Sequence, residues 1–186
     1  MECFIIGGGP SCTKDQINRV VHWAKGNPDR AVFAVNKTAF HVPQANYAFS
    51  RDTRFIAKYL DQLSCLEAQV IVGNGCITPN WARRIETTAY ISGAACIEAA
   101  ARLGYTTVYL IGADGHVRGK THWHEEYKDL PNAPNWEKFD EYYADAIANC
   151  SGIEVYNCSP GTAIKSVPTK AFDEVCHPTN TGLSSE

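Results

Sequence analysis

Phe4-Ile5-Ile6-Gly7-Gly8-Gly9-Pro10-Ser11 is a short apolar run that stops abruptly at three glycines, a proline and a hydroxyl residue. It reads as a buried first strand feeding a tight loop. Consecutive glycines reach backbone angles closed to other residues, and without Cβ atoms they let a charged ligand approach the backbone N–H groups. Thr13 and Gln16 then stand at capping-box spacing, while Ile17, Val20, Val21 and Ala24 place an apolar stripe on the helix that follows. A strand, a glycine turn and an open helix N-terminus predict an anion site. Two familiar fingerprints are excluded. The dinucleotide pattern requires glycine where Cys12 stands and an acidic residue where Asn36 stands, and no Gly-Lys-Ser/Thr closes an ATP-binding P-loop around Lys14.

Outward from this stretch, apolar runs of strand length alternate with helical patterns. Strands are predicted at Cys3 to Ile6, Ala31 to Val35, Tyr47 to Ser50, Gln69 to Val72, Thr107 to Ile111 and Ile153 to Tyr156. Their continuous hydrophobicity indicates burial on both faces. Helical spacing covers Arg54 to Leu63 and Ser92 to Leu103, the second rich in small residues and stopped by Gly104. Asn135 is placed to cap a third helix carrying Phe139, Tyr142, Tyr143, Ala146 and Ile147 at core-facing intervals. The predicted class is α/β: a Rossmann-like, doubly wound, mainly parallel sheet of about six strands with helices on both faces.

The chain's 186 residues suit one domain over 1–186, with a short polar tail over about 177–186. A balance of 17 basic against 20 acidic residues gives no reason to expect a long nucleic-acid groove. The eight cysteines form no Cys-x-x-Cys pair and several sit inside apolar runs, so buried free thiols are expected. With no long apolar stretch and a strand at the very start, the expectation is a cytoplasmic protein without membrane span or signal peptide. A homo-oligomer is compatible with everything in the sequence.

In an open parallel sheet, ligands bind beyond the carboxyl ends of the strands, where helix N-termini and loops converge. The residues predicted there are Gly7, Gly8, Gly9 and Ser11 after the first strand, Asn36 and Lys37 after the second, and Arg51 and Asp52 after the third. Gly73 to Gly75 follow the fourth, Gly112, Asp114 and His116 the fifth, and Ser159 to Thr162 the last. The long connection from Gly112 to Pro134 reads as a polar lid. Within it, Asp114, His116, His122, His124, Glu125 and Glu126 also admit a metal reading, with Mg²⁺ held between Asp114 and a diphosphate as one form. Nothing in their spacing fixes a zinc geometry. Trp123, Tyr127 and Trp136 flank the lid, and their expected task is to anchor it to the core.

The order of these features carries a resemblance. GGGPS, a strand ending at Asn36, Arg51-Asp52, Ile91-Ser92-Gly93 opening a helix that ends in Leu103-Gly104-Tyr105, and Val108-Tyr109-Leu110-Ile111-Gly112-Ala113-Asp114 resemble two related groups. One is the 6-hydroxymethylpterin diphosphokinase-like family, which includes flagellin glycosylation factors. The other is the Rossmann-like bacterial sialyltransferases that use CMP-sialic acid. Gly119-Lys120-Thr121-His122 is closer to the first group, and Cys158-Ser159-Pro160-Gly161-Thr162 is similar to a turn of the second.

The resemblance implies that Gly8, Gly9, Ser11, Asn36, Ser92 and Gly93 hold a nucleotide. It implies a catalytic histidine shortly before the last helix, yet the matching segment here, Pro131-Asn132-Ala133-Pro134-Asn135, has none. His122 and His124 are therefore the candidate bases, since a histidine near its ordinary pKa of about 6.5 accepts a proton from an attacking hydroxyl. The expected function is nucleotide-dependent group transfer, foremost from a nucleotide-sugar. Mg²⁺-dependent pyrophosphoryl transfer through Asp114 and non-catalytic sequestration of a nucleotide stand as alternatives.

Overall fold

The computed structural model describes residues 1–115 and 135–177. Strands β1 (Glu2–Ile6), β2 (Arg30–Val35), β3 (Tyr47–Ser50), β4 (Gln69–Val72), β5 (Arg83–Arg84), β6 (Thr107–Ile111) and β7 (Glu154–Asn157) form one sheet in the order β5-β4-β3-β2-β1-β6-β7. Every neighbouring pair in it is parallel. The doubly wound α/β class read from the sequence is the class observed.

Alternation along the central strands divides the core into two layers. Cys3 and Ile5 of β1 face the layer covered by α4 (Ser92–Arg102) and α5 (Phe139–Ala148). Phe4 and Ile6 face the layer covered by α1 (Lys14–Ala24), α2 (Thr53–Lys58), α3 (Leu60–Ser64) and α6 (Phe172–Val175). Ala94, Ala95, Ala99 and Ala100 are all fully buried, which fits a small-residue helix seated close to the sheet. Stacking of Phe33 on Tyr47 at 4.5 Å and the edge contact of Phe4 with Trp23 at 5.0 Å fill the two layers. Six of the eight cysteines are buried and all are free thiols, as composition indicated.

The structure corrects the sequence reading in four places. A seventh strand, β5, joins the edge of the sheet. It is two exposed arginines long, and charge at an edge hides it from a search for apolar runs. The continuous helix expected over Arg54 to Leu63 is two helices broken at Tyr59, whose backbone leaves the helical region as its ring packs against Phe40 at 5.5 Å and Phe55 at 4.9 Å. The last strand lies one residue later than predicted. Asn135 gives no side-chain cap; a 3₁₀ turn at Trp136–Lys138 leads into α5, and Trp136 stacks on Phe139 at 4.5 Å.

Candidate nucleotide site at the sheet's switch point

From β1 the chain winds outward through β2, β3, β4 and β5, then returns to the far side of β1 as β6. The carboxyl ends of β1 and β6 therefore diverge into loops on opposite sides, the crevice where open α/β sheets take ligands. Here the glycine loop after β1 meets Gly112, Ala113 and Asp114 after β6. Gly7 N–H donates to the Ile111 carbonyl at 2.8 Å and Gly9 N–H to the Gly112 carbonyl at 2.9 Å. Ser11 N–H donates to Asp114 Oδ2 at 3.1 Å.

This contact explains the glycines. A Cβ on Gly7 would stand 2.5 Å from the Gly112 oxygen, and one on Gly9 would collide with the Asp114 carboxylate. Gly112 itself takes a φ of +66°, where L side chains are strained. The loop is thus built to pack against β6, and the amides of Gly7, Gly9 and Ser11 are engaged inside the protein. Gly8 lies between two bonded amides, and the Ser11 hydroxyl is sealed without a hydrogen-bond partner. Asp114 is buried, with its carboxylate presented to the loop. Cys12 beside it is no nucleophile: burial, then the Asp114 charge, pushes its thiol up to about 12.

A second group gathers at the ends of β2 and β3 and the start of α4. Asn36 turns the chain with a φ of +53°, a conformation asparagine tolerates better than most residues. Its Oδ1 accepts the Ser50 hydroxyl at 2.7 Å, and Ser50 Oγ accepts the Asp52 N–H at 3.1 Å. Arg51 N–H donates to Ser92 Oγ at 3.1 Å, and its guanidinium donates to the Ala89 carbonyl. Asn36, the Arg51-Asp52 pair and Ser92, from three separate stretches of sequence, are thus brought together at the end of β3.

Helix ends on this rim differ in how they are closed. Thr13 and Gln16 form the expected capping box on α1, so that helix is not the open N-terminus the sequence suggested. Asp52 caps α2, accepting from Arg54 N–H at 2.9 Å and Phe55 N–H at 3.2 Å, so its carboxylate serves the helix. In contrast, α4 starts after Ile91 with no side-chain cap. Its first-turn amides, including those of Ser92 and Gly93, carry the positive end of an 11-residue helix beside the end of β3. Gly93 has a packing reason as well, because a Cβ there would stand 2.5 Å from the Tyr143 hydroxyl.

Ser159 and Thr162 are buried and bonded to the backbone of Ala113. Ser159 Oγ accepts the Ala113 N–H at 2.9 Å, and the Thr162 hydroxyl donates to the Ala113 carbonyl at 2.9 Å. Asn157 Nδ2 joins them on the same carbonyl at 2.9 Å. All three are buried and hold the segment that carries Asp114. His116, His122 and His124, with Lys120, Trp123 and Tyr127, lie outside the described residues, as does most of the expected lid. Among the described residues there is no group of three or more His, Cys, Asp and Glu that could hold a metal ion.

Sequence reading missed Glu98, Tyr143 and Ser50. Glu98 is fully buried on α4, where its carboxylate accepts the Thr88 N–H at 2.5 Å, the Thr88 hydroxyl at 2.6 Å and the Ala89 N–H at 3.2 Å. It fixes the segment whose carbonyls grip Arg51. The available signal was a lone carboxylate inside an Ala/Cys/Ile stripe. Tyr143 was read as core, and its phenol reaches the α4 start; burial, with smaller contributions from Cys96 and Asp114, raises its pKa.

No helix among the described residues is long and apolar enough to cross a membrane. No protein-family model matches the chain, and no curated protein matches it. The resemblance to the diphosphokinase-like group therefore rests on motif order alone. Among solved structures, the chain is similar to the monofunctional alpha-2,3-sialyltransferase Cst-I from Campylobacter jejuni, with 14% sequence identity and a TM-score of 0.59. The match covers 95% of this chain and 82% of that one, so the two share a fold across nearly the whole of this protein.

Proposed function

We propose that this protein binds a nucleotide-sugar at the switch point and transfers its glycosyl group, in the manner of a sialyltransferase. The observation that carries the reading is the start of α4, an 11-residue helix that opens without a side-chain cap where α1 and α2 are closed by theirs. Those amides suit the donor's phosphate, while the buried Asp114 carboxylate beside Gly8 and Gly9 suits hydroxyl or amino groups of the nucleoside. Fold likeness to a sialyltransferase supports the same assignment.

In this scheme an acceptor hydroxyl attacks the anomeric carbon as the bond to the nucleotide phosphate breaks. The α4 amides stabilise the charge that collects on the departing phosphate. His122 or His124 takes the acceptor's proton. In the Mg²⁺-dependent alternative the same Asp114 carboxylate, which accepts Ser11 N–H, would instead face a metal ion.

The test is a thermal-shift panel of CMP, UDP, GDP, ATP and NAD, with and without Mg²⁺, followed by turnover of the best ligand's sugar conjugate. A ligand at 100 times its dissociation constant stabilises the fold by about 2.7 kcal/mol, an easily measured shift. Metal-independent release of free nucleotide is the expected result. Release of AMP that vanishes in EDTA replaces the proposal with phosphoryl transfer, and tight binding without turnover replaces it with sequestration. If no nucleotide binds, the reading fails.

A further inference from the structure

A cavity of about 480 Å³ lies at the other end of the sheet, between α1, the starts of β1 and β2, and α6. Glu2 and Arg30, which line it, begin β1 and β2, so it stands a full strand length, roughly 15 Å, from the glycine loop. Its half-buried wall carries three cations, Arg19, Arg30 and Lys170. Each rests over an aromatic ring: Arg19 4.7 Å from the Phe172 centroid, Arg30 4.5 Å from Trp23, and Lys170 4.8 Å from Tyr156. Ring faces hold a cation in place without neutralising it.

Both arginines of this wall are ion-paired, Arg19 also with Asp15 at 3.8 Å, yet two donors on it remain open. Glu2 is engaged by Arg30 at 3.5 Å and by the Tyr109 hydroxyl at 2.9 Å. Arg19 is paired with Asp173 at 2.5 Å and also donates to the Cys176 carbonyl, yet its Nε–H is buried without an acceptor. Lys170 forms no ion pair among the described residues. The remaining carboxylate, Glu174, is exposed at the mouth beside His22 and His177. Arg19, Arg30 and Lys170 therefore line one half-open cavity, and the Arg19 Nε–H and the Lys170 ammonium are donors on it without an acceptor among the described residues.

We propose that this cavity binds a small oxyanion, a phosphate- or carboxylate-bearing molecule, at a site separate from the nucleotide crevice. Guanidinium groups match the flat, paired acceptors of such groups, and Lys170 adds an ammonium free of any carboxylate. The inference does not depend on the glycosyl-transfer reading.

The experiment titrates the full chain with inorganic phosphate and, separately, with citrate, following the melting temperature and the heat of binding. Sodium chloride at matched ionic strength controls for screening. A saturable response to either anion is expected, weakened at least tenfold in Lys170→Met and retained in Lys170→Arg, while the response to nucleotide stays unchanged. Which anion responds separates a phosphate site from a carboxylate site. No saturable response to either anion overturns the proposal, as does equal affinity in Lys170→Met, or anion binding that nucleotide displaces. Should Lys170→Met fail to fold by circular dichroism, Lys170→Gln takes its place with the same two outcomes.

Discussion

The starts of α1 and α4 face the same crevice from opposite layers of the sheet, and they are finished in opposite ways. On α1, Thr13 and Gln16 close the first turn reciprocally, and the loop before it bonds to β6 through three amides. On α4, the residue before the helix is Ile91, which has nothing to offer an amide, and Ser92 turns its hydroxyl toward Arg51. A helix end satisfied by its own side chains contributes stability; one left open contributes affinity for an anion. In the proposed site, the glycine loop is the scaffold and α4 is the part assigned to the anion.

The sharpest way to break that division is Gly9→Ala. Its methyl group meets the Asp114 carboxylate and comes 2.6 Å from the Gly112 oxygen, so the β1–β6 junction must open. A loss of about 2–3 kcal/mol in urea unfolding is expected, in the range of overpacked cores. A smaller loss would mean the loop is looser than its packing implies. Next in size is Ser92→Asp, which puts a carboxylate on the open end of α4. Stability should rise by about 0.5 kcal/mol from the helix dipole while nucleotide affinity falls about tenfold, measured by calorimetry. Unchanged affinity would move the phosphate away from α4.

Thr13→Ala supplies the converse. Removing the α1 cap should cost about 1 kcal/mol of stability and leave nucleotide affinity within twofold. The smallest effect concerns acid. Asp140 accepts Lys165 N–H at 2.6 Å and Ser166 N–H at 2.7 Å, and these bonds, led by Ser166, hold its pKa below the ordinary 3.8. A carboxyl depressed by folding adds stability above its unfolded pKa and loses it as pH falls through the folded one. Asp140→Asn should therefore lower stability slightly at neutrality, where the carboxylate's contribution is fully present, and flatten the acid limb of the unfolding curve below about pH 4, where the unsubstituted protein loses it.

Much of this protein was legible one segment at a time. Tyr47–Ser50, Gln69–Val72 and Thr107–Ile111 are strands over the spans their apolar runs marked, because burial on both faces confines the polar residues Ser50, Gln69 and Thr107 to strand ends. The capping box of Thr13 and Gln16 was equally readable, since all its partners lie within one turn. Arg83–Arg84 was hidden, because a two-residue charged edge strand exists only by pairing with Ile71 and Val72. Likewise, no local pattern told that Ser159 and Thr162 would hold the Ala113 backbone.

By itself, the sequence determined the alternation of strand and helix, the sites of the tight turns and the set of polar residues at strand ends, since each follows from contacts within a few residues. Only the tertiary structure decided which of those residues are engaged by other parts of the protein and which are left open at the strand ends. That choice depends on partners dozens of positions away: Asp114 against Ser11, Ser92 against Arg51, Tyr143 against Gly93. A buried polar group must find a partner somewhere, and where it finds one is settled by the packing of the whole sheet.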